Sequence, residues 1–277
     1  MNEQLESSTF SEKDQVKDFW NEASCGEDLY LAGFTEADYT SHSAKRYQLE
    51  PEIIAFGEFE RFRNKKTLEI GVGLGADHQK LAEAGAILSG VDLTQRAINH
   101  TTRRFELNGL TSELAIADAE NLPFAGETFE AVYSWGVLHH SPDTQRAIDE
   151  VYRVLKPGGF AKIMIYHKYS IVGLMLWLRY GLLRFKPLIT METIYSKYLE
   201  SPGTKAYSRK EAEVLFKKFR IESISTPLNH ADLLTSAVGQ RHRGVLLNIM
   251  TKIWPRTLIK KFFPSNGIEL MVTLYKS

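Results

Sequence analysis

Five short apolar runs, TLEIG (67–71), AILSGVDL (86–93), ELAIAD (113–118), FEAVYSW (129–135) and FAKIMIYH (160–167), constrain the fold more than any other feature. Segments with helical spacing lie among them. DHQKLAEAG (77–85) reads as a helix ended by Gly85, and TQRAINHTTRRFELNG (94–109) as one capped by Thr94 and stopped at Asn108-Gly109. SPDTQRAIDEVYRVLKPGG (141–159) reads as a further helix with Pro-Gly-Gly behind it. Strands separated by helices of about ten or more residues join by right-handed crossovers into a parallel sheet. The runs are almost continuously apolar, as strands covered on both faces must be. An α/β, doubly wound sheet is the expectation.

The regular alternation stops after residue 167. SRKEAEVLFKKF (208–219) reads as a helix capped by Ser208, while RIESISTP (220–227) and GIELMVTLYKS (267–277) read as strands. A chain of 277 residues allows one or two domains at roughly 150 residues each. The reading is one domain over 65–277 with lid-like insertions at about 168–207 and 228–266, preceded by an N-terminal helical extension over 1–64. The formal net charge is zero, so charge gives no case for nucleic acid, and none is expected as a partner. A single cysteine, Cys25, rules out an internal disulfide framework and fits a reducing compartment. The acidic start MNEQLESSTFSEKDQ has no apolar h-region. IVGLMLWLRYGLL (171–183) is interrupted by Arg179 and falls short of the roughly 20 residues of a spanning helix. The expected location is cytoplasmic.

LEIGVGLGADHQKL (68–81) carries the first chemistry. Gly71, Gly73 and Gly75 follow a strand and open a helix, so a ligand can pack on bare main chain beside unpaired N–H groups. No Gly-Lys-Ser/Thr follows, which excludes a P-loop, whereas GVGLGA also satisfies the glycine pattern of a dinucleotide site. Asp92 ends the second strand, where a carboxylate accepts both hydroxyls of a ribose, in NAD and in S-adenosylmethionine alike. Asp118 ends the third, inside ADAENLPF, and with the backbone of Ala119 offers an acceptor for an adenine amino group, with Leu122 or Phe124 near the ring. All three lie on the ligand edge of an open α/β sheet.

LEIGVGLG, GVDLT, ADAENLPF, VYSWGVLHHSPD and EVYRVLKPGGFAKIMIYH stand in the order and spacing of class I S-adenosylmethionine-dependent methyltransferases, which the chain resembles over about 65–167. DFWNEASCG, RYQLEP and KAYSRKEAEVLFKKF extend the likeness to a bacterial subgroup of these enzymes. The resemblance implies a Rossmann-like, seven-stranded sheet with an antiparallel last strand, and S-adenosylmethionine as cofactor. It implies that Glu69, Gly71, Gly73 and Gly75 line the methionine end. Asp92, with Leu93 beside it, would hold the ribose, Asp118 and Ala119 the adenine, and the main chain near Trp135 the sulfonium side.

A sulfonium methyl is already activated, so transfer needs chiefly alignment, which supplies roughly 7–11 kcal/mol, and exclusion of water. A base is needed only for a hydroxyl or protonated amine. His139 and His140, just after the fourth strand, offer imidazoles there, with His140 the better placed; the competing role is packing against the following helix. Tyr166 and His167 end the fifth strand and are further pocket candidates. Phe19, Trp20 and Tyr30 either cover the cofactor or dock the extension, and Cys25 reads as structural among acidic neighbours. One cysteine and scattered histidines lack zinc-site spacing, so no metal is expected.

SIVGLMLWLRYGLLRF (170–185) and VLLNIMTKIWPRTLIKKFF (245–263) are apolar with interspersed Arg and Lys. From Leu233 to Ile268 the charged side chains are all basic: Arg241, Arg243, Lys252, Arg256, Lys260 and Lys261 after the single Asp232 that precedes them. They fit a buried lid over an apolar acceptor pocket, or a peripheral membrane contact. The leading reading is methyl transfer to a small, hydrophobic or aromatic organic acceptor. Alternatives are a membrane-associated lipid or quinone methyltransferase, an NAD-linked oxidoreductase, and a non-catalytic S-adenosylmethionine-binding protein.

Overall fold

The computed structural model describes residues 2–236 and 251–277, with side chains from residue 12 onward. The part of the second insertion at 237–250, with Arg241 and Arg243, lies outside the described residues. The N-terminal extension is helical: α1 (Asn2–Glu22), α2 (Glu27–Tyr30), α3 (Glu36–Leu49), α4 (Pro51–Gly57) and a 3-10 turn at Phe59–Phe62. Thr35 and Asp38 form a capping box that starts α3, and Pro51 sits at the start of α4, where its missing N–H costs nothing.

Next come β1 (Lys66–Ile70), α5 (Ala76–Glu83), β2 (Ile87–Asp92), α6 (Gln95–Asn108), β3 (Glu113–Ile116), β4 (Phe129–Trp135), α7 (Thr144–Val154) and β5 (Leu155–Tyr166). Thr94 accepts from the Ala97 N–H at the start of α6, and Gly109 ends it in the left-handed region. α7 is shorter than its sequence suggests. Asp143 caps it, and Leu155 already pairs with Phe129, so LKPGG belongs to β5. The register shifts there before Phe160 meets Ala131.

The first insertion forms α8 (Ile171–Tyr180), a 3-10 turn at Leu182–Arg184 and α9 (Met191–Tyr198). α8 begins at a Ser170 cap and approaches α9 closely at Gly173, where a Cβ would come 2.4 Å from the Tyr195 hydroxyl. α10 (Arg209–Leu215) has the expected cap at Ser208, in a capping box with Glu211. It leads to β6 (Arg220–Ser225); α11 (Arg256–Phe262) and β7 (Glu269–Tyr275) close the chain.

The strands form one seven-stranded sheet in the order β3-β2-β1-β4-β5-β7-β6. Pairs from β3 to β5 are parallel, and β7 runs antiparallel to both β5 and β6. The order reverses between β1 and β4, opening a crevice at the strand C-terminal ends where such sheets take ligands. One core, with Leu68, Val132, Ile148 and Phe216, includes residues of α7 and α10. A second joins Leu81 and Phe105 to Tyr133 and Phe160, and here Ile53, Phe59 and Phe62 of the extension are built into the domain. The extension is therefore not a separate globule.

Candidate active site

The turn after β1 lies in the crevice. Gly71, Gly73 and Gly75 have φ of +84°, +50° and +75°. At Gly71 a Cβ would lie 2.1 Å from a Val137 methyl, so close packing requires the glycine. At Gly73 it would meet nothing within 4 Å. That bare main chain faces a cavity of about 490 Å³ lined by Glu69, Gly71, Gly73, Asp92, Leu93, Asp118, Ala119 and Trp135. Cavities of roughly 300–1,000 Å³ are those of small-molecule and cofactor sites. Gly75 does not belong to that lining; a Cβ there would press on Thr101.

Asp92 accepts from the Gly73 N–H (3.2 Å), the Thr94 N–H (3.0 Å) and the Thr94 hydroxyl (2.9 Å). Burial nevertheless pushes its carboxyl above the usual range. Glu69 is buried and lies 2.7 Å from His78 Nδ1. Nε2 of His78 is 2.8 Å from the Ser112 hydroxyl, which itself donates to the Leu88 carbonyl. Ser112 then accepts from Nε2–H, and with both groups neutral Glu69 donates to Nδ1 as an acid. Burial drives both groups that way, raising Glu69, helped by Asp77 and Asp92, and lowering His78 to about 3.

At the tip of β3 the extension intervenes. Lys13 of α1 reaches Asp118 (2.8 Å) and Glu120 (2.5 Å), and Asp118 also accepts from the Glu120 N–H. Leu122 and Phe124 are not beside the cavity as expected. Leu122 is buried in the core and Phe124 packs edge-on against Phe129, because apolar side chains there gain more from the dry face of the sheet.

Beyond β4 the two histidines separate. His139 is fully buried, with both ring nitrogens unpartnered, against Tyr166 and His140; burial holds its pKa well below the ordinary value. His140 lines the cavity. Its Nδ1 lies between the hydroxyls of Ser201 (2.8 Å) and Thr204 (3.1 Å), and its unpartnered Nε2 is 3.5 Å from Glu200. Glu200 accepts from the Tyr166 hydroxyl at 2.7 Å. Ligand atoms of His139, His140 and Glu200 lie within 4.8 Å of one another, close enough to share a cation, a grouping the spacing of the sequence did not reveal. Tyr166 lines the cavity, while His167 turns to the Gly267 carbonyl.

Trp20 and Tyr30 line the cavity; Trp20 meets His140 edge-on, and Phe19 packs behind Trp20. Cys25 lines the cavity as well and is exposed. Arg46 was not singled out from sequence. From α3 it reaches buried Asp77 through Nε (3.2 Å) and a terminal nitrogen (2.9 Å), and Tyr47 and Tyr133 donate to the same carboxylate. Glu200 was missed as well. The only signal for either is its place in RYQLEP or in the ESPGTKAYS loop.

A switch-point crevice with a bare glycine turn, and a carboxylate at the tip of each of the next two strands, suits a dinucleotide and is also the arrangement of the Rossmann-like class I methyltransferases, whose cofactor is S-adenosylmethionine. Residues 68–163 match the family described as Methyltransferase domain, and the chain carries a domain of this class. It is 29% identical over 199 residues to a ubiquinone/menaquinone biosynthesis C-methyltransferase UbiE of Desulfotalea psychrophila, covering 64% of this chain and 77% of that one. It is 32% identical over 118 residues to phosphoethanolamine N-methyltransferase 2 of Caenorhabditis elegans, covering 42% of this chain but only 26% of that protein. The chain thus spans about a quarter of the length of that relative. A solved S-adenosylmethionine-dependent methyltransferase from Methanosarcina mazei is 21% identical with a TM-score of 0.55, covering 79% of this chain and 97% of that one, and shares the fold.

Proposed function

We propose that the chain methylates a small, hydrophobic or aromatic organic acceptor, with S-adenosylmethionine as donor. One observation carries the reading: Gly73, Asp92 and Asp118 border the same cavity, which continues past His140 to apolar side chains of α8. The bound donor supplies a methyl group already activated on a sulfonium. Main chain at Gly71 and Gly73, with Glu69, would lie against its amino-acid tail. Asp92 and Leu93 would hold the ribose, Asp118 and Ala119 the adenine, and Trp135 would border the sulfonium. Gly75 would set the turn rather than touch the ligand.

On the acceptor side His140 is the group that can take a proton, through Nε2, while Ser201 and Thr204 fix its ring. His139, neutral and walled off, would position His140 by packing. Val172, Met175, Leu176 and Trp254 line the far wall and exclude water, which favours transfer of charge off the sulfonium. The same apolar wall, together with the name of the 29% identical relative, supports a second reading in which the acceptor is a quinone or lipid.

A methyl-transfer screen across phenols, amines, thiols and quinols tests the proposal, run beside calorimetry with S-adenosylhomocysteine and NADH. Binding of the homocysteine compound with turnover of one acceptor class is expected. NADH binding alone would favour the oxidoreductase, and tight binding without turnover of any acceptor the non-catalytic protein.

A further inference from the structure

The first insertion leaves a large apolar surface bare. Residues 182–188, LLRFKPL, are all exposed, with Phe185 at 94% and Leu188 at 93%. Leu174 and Leu178, one turn apart on α8, continue the apolar surface. α11 lies beside α8, joined by Ile171, Met175, Trp254 and Ile259, and shows Leu258, Phe262 and Phe263 to solvent. Apolar surface this extensive on a water-soluble face marks an interaction site.

Charge indicates the partner. No acidic residue occurs between Tyr169 and Met191, or between Thr251 and Ile268, whereas Arg179, Arg184, Lys186, Lys252, Lys260 and Lys261 do. Arg179 and Arg184 both stack on the Tyr180 ring, 5.2 and 5.0 Å from its centre, which holds two cations at the base of the exposed turn. Interfaces with proteins are depleted of charge at their centre, whereas Lys and Arg alternating with Leu and Phe are the pattern of segments lying in a membrane interface. No helix among the described residues is long and apolar enough to cross a membrane. Leu178 and Leu183 are both exposed and part of the cavity lining, so the cavity opens on this face.

We infer that α8, the turn after it and α11 form a surface that docks on an anionic lipid bilayer, with the mouth of the cavity toward the membrane. Phe185 and Leu188 enter the acyl boundary, and the lysines and arginines meet the headgroups. An amphiphilic acceptor then reaches the cavity without crossing water. The inference rests on exposure and charge, and stands apart from which acceptor is methylated.

Sedimentation of the full chain with phosphatidylglycerol-containing and pure phosphatidylcholine vesicles, at low and high salt, tests it. Binding to the anionic vesicles, weakened by salt, is expected. Phe185→Ser with Leu188→Ser should weaken it at least tenfold, and Lys260→Gln with Lys261→Gln by about fivefold per lysine removed. Calorimetry with S-adenosylhomocysteine should give wild-type affinity for both variants, showing them folded and separating this test from that of the donor site. Equal binding to both vesicle types, or unchanged binding by both variants, overturns the inference. So does a wild type that ignores vesicles and uses Phe185 to bind a second copy or a soluble protein.

Discussion

Lys13, in the N-terminal helix, holds its ammonium 2.8 Å from Asp118, the carboxylate at the tip of the third strand. The extension therefore occupies the acceptor that an adenine amino group would use. Lys13 also pairs with Glu120, a buried carboxylate that keeps the Asp143 N–H as a donor when the lysine is removed. Partly exposed pairs of this kind are worth about 0.2–1 kcal/mol. Lys13→Met should tighten S-adenosylhomocysteine binding by up to about fivefold at low salt, less at high salt. Weaker binding in calorimetry would instead make Lys13 a contact of the donor.

Glu69 and His78 form a neutral pair in which the acid donates. An amide can donate in its place, so Glu69→Gln should keep thermal stability close to wild type. Glu69→Ala leaves buried Nδ1 unpartnered and should cost about 1–3 kcal/mol. Equal losses in the two variants would mean that the pair is a carboxylate and an imidazolium.

Asp232 ties the second insertion to the sheet by accepting from the N–H groups of Val172, Asn229 and Ile268. Burial raises its pKa to about 6. A carboxyl raised in the folded state contributes stability that is fully present below its unfolded value near 3.9 and lost as pH rises through about 6. Between pH 7 and 4 the wild type should gain about 2 kcal/mol relative to Asp232→Asn, read from denaturant unfolding. A pH-independent difference would show that Asp232 does not titrate as described.

His140→Gln should lower kcat at least about 100-fold for an acceptor that must lose a proton, with donor affinity unchanged. Chelators should leave the wild-type rate intact. Loss of activity with chelator and recovery with zinc would assign His139, His140 and Glu200 to a cation instead of a base.

The glycine turn, the strands and the carboxylates at their tips were legible because each depends on local sequence: φ at a turn, apolar runs, a residue ending a strand. Ser208 and Thr94 were readable as caps for the same reason. Glu200 and Arg46 were not, since a loop beyond α9 and a helix of the extension bring them to the cavity only through tertiary packing. LKPGG misled for a related reason. Val154 ends the helix, and the pairing of Leu155 with Phe129 overrides the stop signal that Pro-Gly-Gly supplies later. Leu122 and Phe124 were placed by sequence near a ligand, but the core holds them more strongly.

The central claim is that Asp92 and the bare turn at Gly73 hold an adenosyl donor. Calorimetric titration of wild type and Asp92→Ala with S-adenosylhomocysteine tests it most directly. One saturable site in the wild type, weakened at least tenfold in the variant while its fold is retained, is the result predicted. No binding to the wild type, or equal binding to both proteins, would contradict the account.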